Sequence, residues 1–365
     1  MSARRGAPQK IDFSGGGAFY ADLKREVRAL LDEPGRARRA QRRIYAKSAV
    51  MLLWAAGSWA GLLFLAENWW QAGALAISLG LALAGIGFNI THDANHGSYS
   101  PNRRVNRAAQ WSMDLIGASS YVWRTKHNTA HHTFTNISGA DSDIDSMPFA
   151  RFAPDQPRRR YHRLQHWYMW ALYGLFAIKW HTVGDFGYLR AGRIGETPLR
   201  WPRGGELAGF WLGKASFVSW ALVIPLMVQS AWWVLLVFGV VSFVLAFTLA
   251  VTFQLAHCLE EAEFSSIEEM AEGGSSEWAR HQLATTVDFA PRNRLLAWYL
   301  GGLNFQVEHH LFSRVPHTHY PAMARVVGEV CARHGVRHQV HERLWSVLAS
   351  HARWLRRMGA APAPA

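Results

Sequence analysis

Residues 48–66 read SAVMLLWAAGSWAGLLFLA, and residues 69–91 read WWQAGALAISLGLALAGIGFNIT. Neither run contains a charged residue. Each is long enough, as a helix, to cross a hydrocarbon layer of about 30 Å. Only Glu67 and Asn68 separate them, so a tight hairpin is expected. Residues 207–228 and 231–256 are expected to form a second hairpin, with Lys214 snorkelling from its first helix to the interface. Lys and Arg are absent from Ser48 to Asn102 and from Ala215 to Ala279. The positive-inside rule therefore places both termini and the 103–214 connection in the cytoplasm. Trp69, Trp70, Trp232 and Trp233 fall at the two outer turns, where an aromatic belt belongs. Residues 161–184 mix His, Arg and Lys with apolar side chains and read as a helix lying on the membrane rather than crossing it.

The fold class expected from this pattern is all-α integral membrane: four transmembrane helices in two hairpins plus a cytoplasmic helical cap. The boundaries are a basic cytoplasmic segment at 1–47, a main domain at 48–345 and a C-terminal tail at 346–365. Within the main domain the hairpins occupy about 48–91 and 207–256, and the cap occupies 92–206 and 257–345. The bulk composition agrees. Half of the 365 residues are hydrophobic and 18 are Trp, yet the formal charge is +13, a combination natural to a membrane protein with a basic cytoplasmic part. No nucleic-acid partner is expected. Two cysteines, Cys258 and Cys331, are too few for a disulfide framework or a four-thiolate iron–sulfur cluster. No short apolar core with a cleavage site precedes Ser48, so no secretion signal is expected. No Gly-rich nucleotide fingerprint follows a strand.

The chemistry lies in the histidines, of which there are 18. His92-Asp-Ala-Asn-His96 directly follows the second apolar run. Histidines at i and i+4 share one helical face and can grip one metal. His127-Asn-Thr-Ala-His131-His132 repeats that spacing, and His132 points further round, towards a second metal. In Gln306-Val-Glu-His309-His310, Gln306 and His310 are again four apart. With His257 at the inner end of the fourth run, four segments bring histidines to one side of the bilayer. Eight imidazoles exceed what one ion can use, so two metals are implied. Iron with open positions suits activation of oxygen, though imidazole count alone leaves zinc open.

These clusters resemble the three histidine boxes of the membrane fatty-acid desaturases, in order and in placement. LNFQVEHHLF (303–312) is similar to the front-end members, which have Gln where other desaturases have His, and WRTKHNTAHHTFTN (123–136) looks like bacterial, linoleoyl-CoA-type members. The likeness runs from about Tyr45 to Tyr320; Ser313 departs from the usual Pro. The resemblance implies two Fe ions with O2 as co-substrate. It implies metal ligands at His92, His96, His127, His131, His132, His309 and His310, with His257 as the extra histidine after the fourth span and Gln306 at the remaining box position. No catalytic residue beyond these ligands is implied. The activity implied is insertion of a double bond into the acyl chain of a fatty acyl-CoA or acyl-lipid, held in a bent tunnel between the spans; the alternative is a related membrane di-iron hydroxylase. The chain has no His-Pro-Gly-Gly heme segment, so electrons are expected from a separate donor protein, a ferredoxin or a cytochrome with its reductase. The location implied is multi-pass, in a bacterial inner membrane, with a cytoplasmic active site.

Other residues carry weaker expectations. Asp93 and Glu308 either hold an imidazole N–H or face solvent. Gln254 either orients a metal-bound water or simply packs. Asp141-Ser-Asp143-Ile-Asp145 reads as a loop with capping acids, since it lacks the Gly and final Glu of a calcium loop. The basic run Arg158-Arg159-Arg160-Tyr161-His162-Arg163 suits a phosphate, an acidic electron donor or plain anchoring to an anionic leaflet. His317 and His319 either support the metal-binding histidines from behind or lie at the surface; His334, His338, His341 and His351 are expected at the surface, and His281 is undecided.

Overall fold

A computed structural model describes residues 11, 13–14, 16–272 and 276–361. The final AAPAPA (360–365), whose composition predicts disorder, lies mostly outside this range. The principal helices are α1 (Ala18–Leu31), α2 (Arg36–Phe64), α3 (Trp69–His96), α4 (Arg103–Leu115), α5 (Gln165–Lys179), α6 (Gly205–Val228), α7 (Ala231–His257), α8 (Trp278–Thr285), α9 (Gln306–Leu311), α10 (Tyr320–Arg333) and α11 (Leu344–Gly359). The strands are two-residue pairs, among them Asp288–Phe289 parallel to Val340–His341.

Four helices, α2, α3, α6 and α7, are long and apolar enough to cross a membrane. Local chemistry sets their ends. Asn68 caps α3 by accepting from the Gln71 N–H at 3.1 Å, and Gln71 Oε1 accepts from the Glu67 N–H at 2.8 Å. Small residues set the spacing. A Cβ on Gly80 would stand 2.7 Å from Val244 Cβ, so glycine lets α3 and α7 approach. Polar contacts between α2 and α3 are satisfied pairwise: Ser78 Oγ lies 2.8 Å from Trp54 Nε1 and 2.8 Å from Ser58 Oγ. Only 17% of the most apolar window of α6 is buried against protein, and Met227, Trp232 and Leu235 are well exposed, so these surfaces need an apolar medium.

The structure changes several expectations. α2 begins at Arg36, so the boundary at 47 cuts through a continuous helix, whose basic first turns share one axis with its apolar run. The boundary at 345 likewise falls inside α11. That helix buries Val347, Trp354, Leu355 and Met358, each contributing roughly 1.5–3 kcal/mol. His351 is therefore a core residue rather than a surface one, 2.8 Å from Tyr173 Oη and 2.7 Å from the Cys258 carbonyl. Lys214 does not snorkel outward. Its Nζ turns inward and donates to Asp185 Oδ2 at 2.6 Å and to the Gly117 carbonyl at 3.0 Å, because a buried carboxylate left alone would be costly. α5 is helical as expected, but it lies along α7 with Gly174 against Phe243, leaving Trp167, Leu175 and Ile178 exposed.

Candidate metal centre

The last turns of α3 and α7 and the first half of α2 meet the C-terminal region at one end of the long helices. The contacts include Asn89 Nδ2 to the Tyr299 carbonyl (2.8 Å) and Gln306 Nε2 to His257 Nε2 (3.0 Å). All nine sequence-derived positions, His92, His96, His127, His131, His132, His257, Gln306, His309 and His310, are buried there. They divide into two lobes. His92, His96, His127 and His309 bring one ring nitrogen each within 4.8 Å of one another, as do His131, His257 and His310. His132 joins His309 and His310 in a third such group and so lies between the lobes. Gln306 belongs beside His257, in the second lobe.

His127 and His131, four residues apart, bring ring nitrogens within 4.8 Å of each other in a further group with Asp143, so these two rings link the lobes. Arg124–His131 is a π-helical stretch, and its wider turn also brings i and i+5 into register. His127 Nε2 accordingly lies 3.3 Å from His132 Nε2. A second π stretch, Gly87–Thr91, precedes the α-helical turn His92–His96, where i and i+4 do share a lobe.

Several imidazoles are anchored through Nδ1. His131 Nδ1 is 3.0 Å from Asp141 Oδ2, His310 Nδ1 is 2.7 Å from Gln282 Oε1, His309 Nδ1 is 3.2 Å from Tyr320 Oη, and His257 Nδ1 is 3.3 Å from the Thr285 carbonyl. An acceptor at Nδ1 fixes the tautomer that leaves the Nε2 lone pair free. Trp123 stacks on the His127 ring at 4.3 Å. Burial, and then repulsion from neighbouring imidazoles, holds His127, His132, His309 and His310 well below the ordinary imidazole range, so they are neutral and able to ligate. His131 differs. Burial alone would lower it, but the Asp141 carboxylate, with Asp143, holds it above its usual value.

The donor set fits metal ions. Among the described residues, His92 Nδ1 and Nε2, His96 Nε2, His309 Nε2, His310 Nε2 and Gln306 Oε1 are buried without a hydrogen-bond partner. Buried polar groups are ordinarily satisfied, and this many facing one another call for cations. Gln254 Oε1, one turn before His257, is also unpartnered.

Sequence reasoning missed the anchors. Asp141 looked like a capping acid, and it does cap, accepting from the Asn136 N–H (3.0 Å) and the Asp143 N–H (2.9 Å), but the same carboxylate holds His131. Nothing in the sequence marked Gln282, Thr285 or Tyr320 as partners of boxes far along the chain. His317 and His319 are buried rather than at the surface. His317 bridges Asp93 Oδ2 (2.7 Å) and Lys47 Nζ (2.9 Å), which ties α2 to the first histidine cluster. Asp93 thus serves His317; His92 Nδ1 is 3.9 Å from it. Asp141→Ala is expected to lower metal affinity about 10–100-fold, the usual loss for an outer-shell partner. Metal retained per chain after dialysis measures it, and Asp141→Asn, which keeps an acceptor oxygen, should recover part of the loss.

A cleft of about 1560 Å³ opens beside the cluster, with His96, His132 and His310 in its wall and Arg103, Arg104, Arg107, Arg124, Arg203 and Arg314 around it. An apolar crevice lies between α2, α3, α6 and α7, lined by Leu62, Leu83, Phe217, Trp220, Phe238 and Leu245 among others.

A family profile described as Fatty acid desaturase matches residues 67–341. The chain is 35% identical over 354 residues to an sn-1 linoleoyl-lipid 6-desaturase of Arthrospira platensis, covering 97% of this chain and 96% of that protein. It is 33% identical over 361 residues to the sn-1 linoleoyl-lipid 6-desaturase of Synechocystis sp., covering 97% and 99%. It is 36% identical over 290 residues to an acyl-lipid (8-3)-desaturase of Physcomitrium patens, covering 78% and 60%.

Proposed function

We propose, since this chain belongs to the fatty acid desaturase family, that it inserts a double bond into the acyl chain of a membrane lipid, using two iron ions and O2. The observation that carries this reading is the buried donor set divided into two lobes about His132. Iron held there would supply the oxidising power needed to remove two hydrogens from an unactivated methylene pair, which no side chain can do. His92, His96, His127 and His309 would hold one ion. His131, His257 and His310, with Gln306, would hold the other. Asp141, Gln282, Thr285 and Tyr320 would keep the rings aimed.

The lipid carrier is preferred to acyl-CoA because the relatives' names specify acyl-lipids. The arginines of the cleft would hold an anionic head group, and the apolar crevice would take the tail. The four long helices would form two membrane hairpins. The charge asymmetry supports a cytoplasmic site with both termini on the same side. The two histidine lobes would then form part of a cytoplasmic cap over one main domain, with a separate ferredoxin or cytochrome supplying electrons. The exposed Arg159, Arg160 and Arg163 suit an acidic donor.

Expression in a bacterial host that supplies ferredoxin and reductase tests the reading. Mass spectrometry with double-bond location should find a new double bond in lipid-linked acyl chains. A hydroxylated chain in its place would assign the hydroxylase reading.

A further inference from the structure

A separate group of ionisable side chains lies outside the two lobes. Asp288, Glu308 and His338 each bring one ligand atom within 4.8 Å of the other two. They come from three segments: the strand Asp288–Phe289, the helix α9, and the stretch leading into Val340–His341, the strand that pairs with Asp288–Phe289. Glu308 and Asp288 are 0% and 1% exposed. His338, expected at the surface, has Nε2 3.0 Å from Asp288 Oδ2 and 3.8 Å from Glu308 Oε1. The Val307 N–H donates to Asp288 Oδ1 at 2.9 Å, which fixes that carboxylate with its other oxygen towards His338. Apart from its own backbone and the Asp288 carboxyl beside it, the Glu308 carboxyl has no hydrogen-bond partner among the described residues, and among them no Lys or Arg pairs with either acid.

Two carboxylates side by side in a dry interior repel each other, and each is costly without a counter-charge. We propose that Asp288, Glu308 and His338 form a third metal site, distinct from the histidine lobes, that takes one divalent cation of borderline softness such as zinc. Two carboxylate oxygens cancel the charge of a dication, and one imidazole nitrogen suits a borderline metal better than Ca²⁺ or Mg²⁺. Three protein ligands leave one position of a tetrahedral site for water. The Nε2 lone pair of His338 ligates while its proton resides on Nδ1. The ion joins the paired strands to α9 and so steadies the helix that carries Gln306, His309 and His310.

The test uses the full-length protein in detergent, saturated with zinc and dialysed. His338→Ala and Glu308→Gln are each expected to retain one metal equivalent fewer than the unmodified chain. Anomalous scattering at the zinc edge from crystals of the unmodified protein should show a peak between Asp288, Glu308 and His338, which needs no variant to fold. That peak should persist in His131→Ala, because the site does not depend on the histidine lobes or on the desaturase reading. Equal metal counts in all three proteins, with no peak at this place, would overturn the proposal and leave the two carboxyls sharing a proton.

Discussion

His131→Ala is expected to take desaturation to background while expression and folding persist. His131 belongs to the smaller lobe, where His257 and His310 supply further imidazoles and Gln306 adds a weaker donor, and it also stands beside His127 and Asp143. Removing one ring there leaves too few strong ligands for a metal. Removing an outer-shell partner of a metal ligand typically costs about 10–100-fold, so loss of a ligand itself should exceed about 100-fold. The alanine also leaves Asp141 without its imidazole partner, though that acid keeps the Asn136 and Asp143 N–H groups and the loop should hold. Fatty-acid profiles and metal content of the two proteins, expressed side by side, give the answer. A fully active His131→Ala protein would sink the assignment of this ring as a ligand.

Gly301→Ala should be among the most damaging small substitutions in the framework around the site. Gly301 has φ +58°, and a Cβ there would stand 2.4 Å from the Phe88 carbonyl oxygen and 2.8 Å from its carbon. Backbone cannot swing aside as a side-chain tip can. The left-handed conformation costs an alanine about 1–2 kcal/mol, and the overpacking adds about 1–3 kcal/mol, so a loss of about 3 kcal/mol is expected. Phe88 lies in the π stretch that leads into His92, so the damage reaches the first lobe as well as stability. Gly97→Ala is the control: its φ is +77°, but nothing stands within 4 Å of the added carbon. Thermal unfolding should place Gly301→Ala clearly below Gly97→Ala. Equal midpoints would mean that the close approach to Phe88 relaxes freely.

Much of the candidate site was legible because its signals are local. His92 and His96 share an α-helical turn and bring ring nitrogens together, as four-residue spacing expects; Gln306 and His310 share another turn, where Gln306 meets His257. His127 and His131 also come together, with Asp143, but the π-helical turn brings His127 to His132 as well, which spacing alone does not reveal. Burial was read less well than identity. His317, His319 and His351 sit in polar, basic stretches that look like surface, yet Asp93 and Lys47 draw in His317, and Tyr173 draws in His351. The Lys214 expectation erred in the same direction for the same reason, since Asp185 lies 29 positions away in the chain but 2.6 Å away in space.

The sequence alone determined the four long apolar helices and the asymmetry of basic charge, and its family resemblance named the nine candidate donor positions. Run length, charge and residue type are properties of short segments and need no partner to be read. The tertiary structure decided which donors share a lobe, that His132 lies between the lobes, and that Asp141, Gln282, Thr285 and Tyr320 hold the rings. It also decided that Asp288, Glu308 and His338 converge. Each of these depends on segments far apart in the chain meeting in a dry interior, where an unsatisfied polar atom is costly enough to dictate its neighbours.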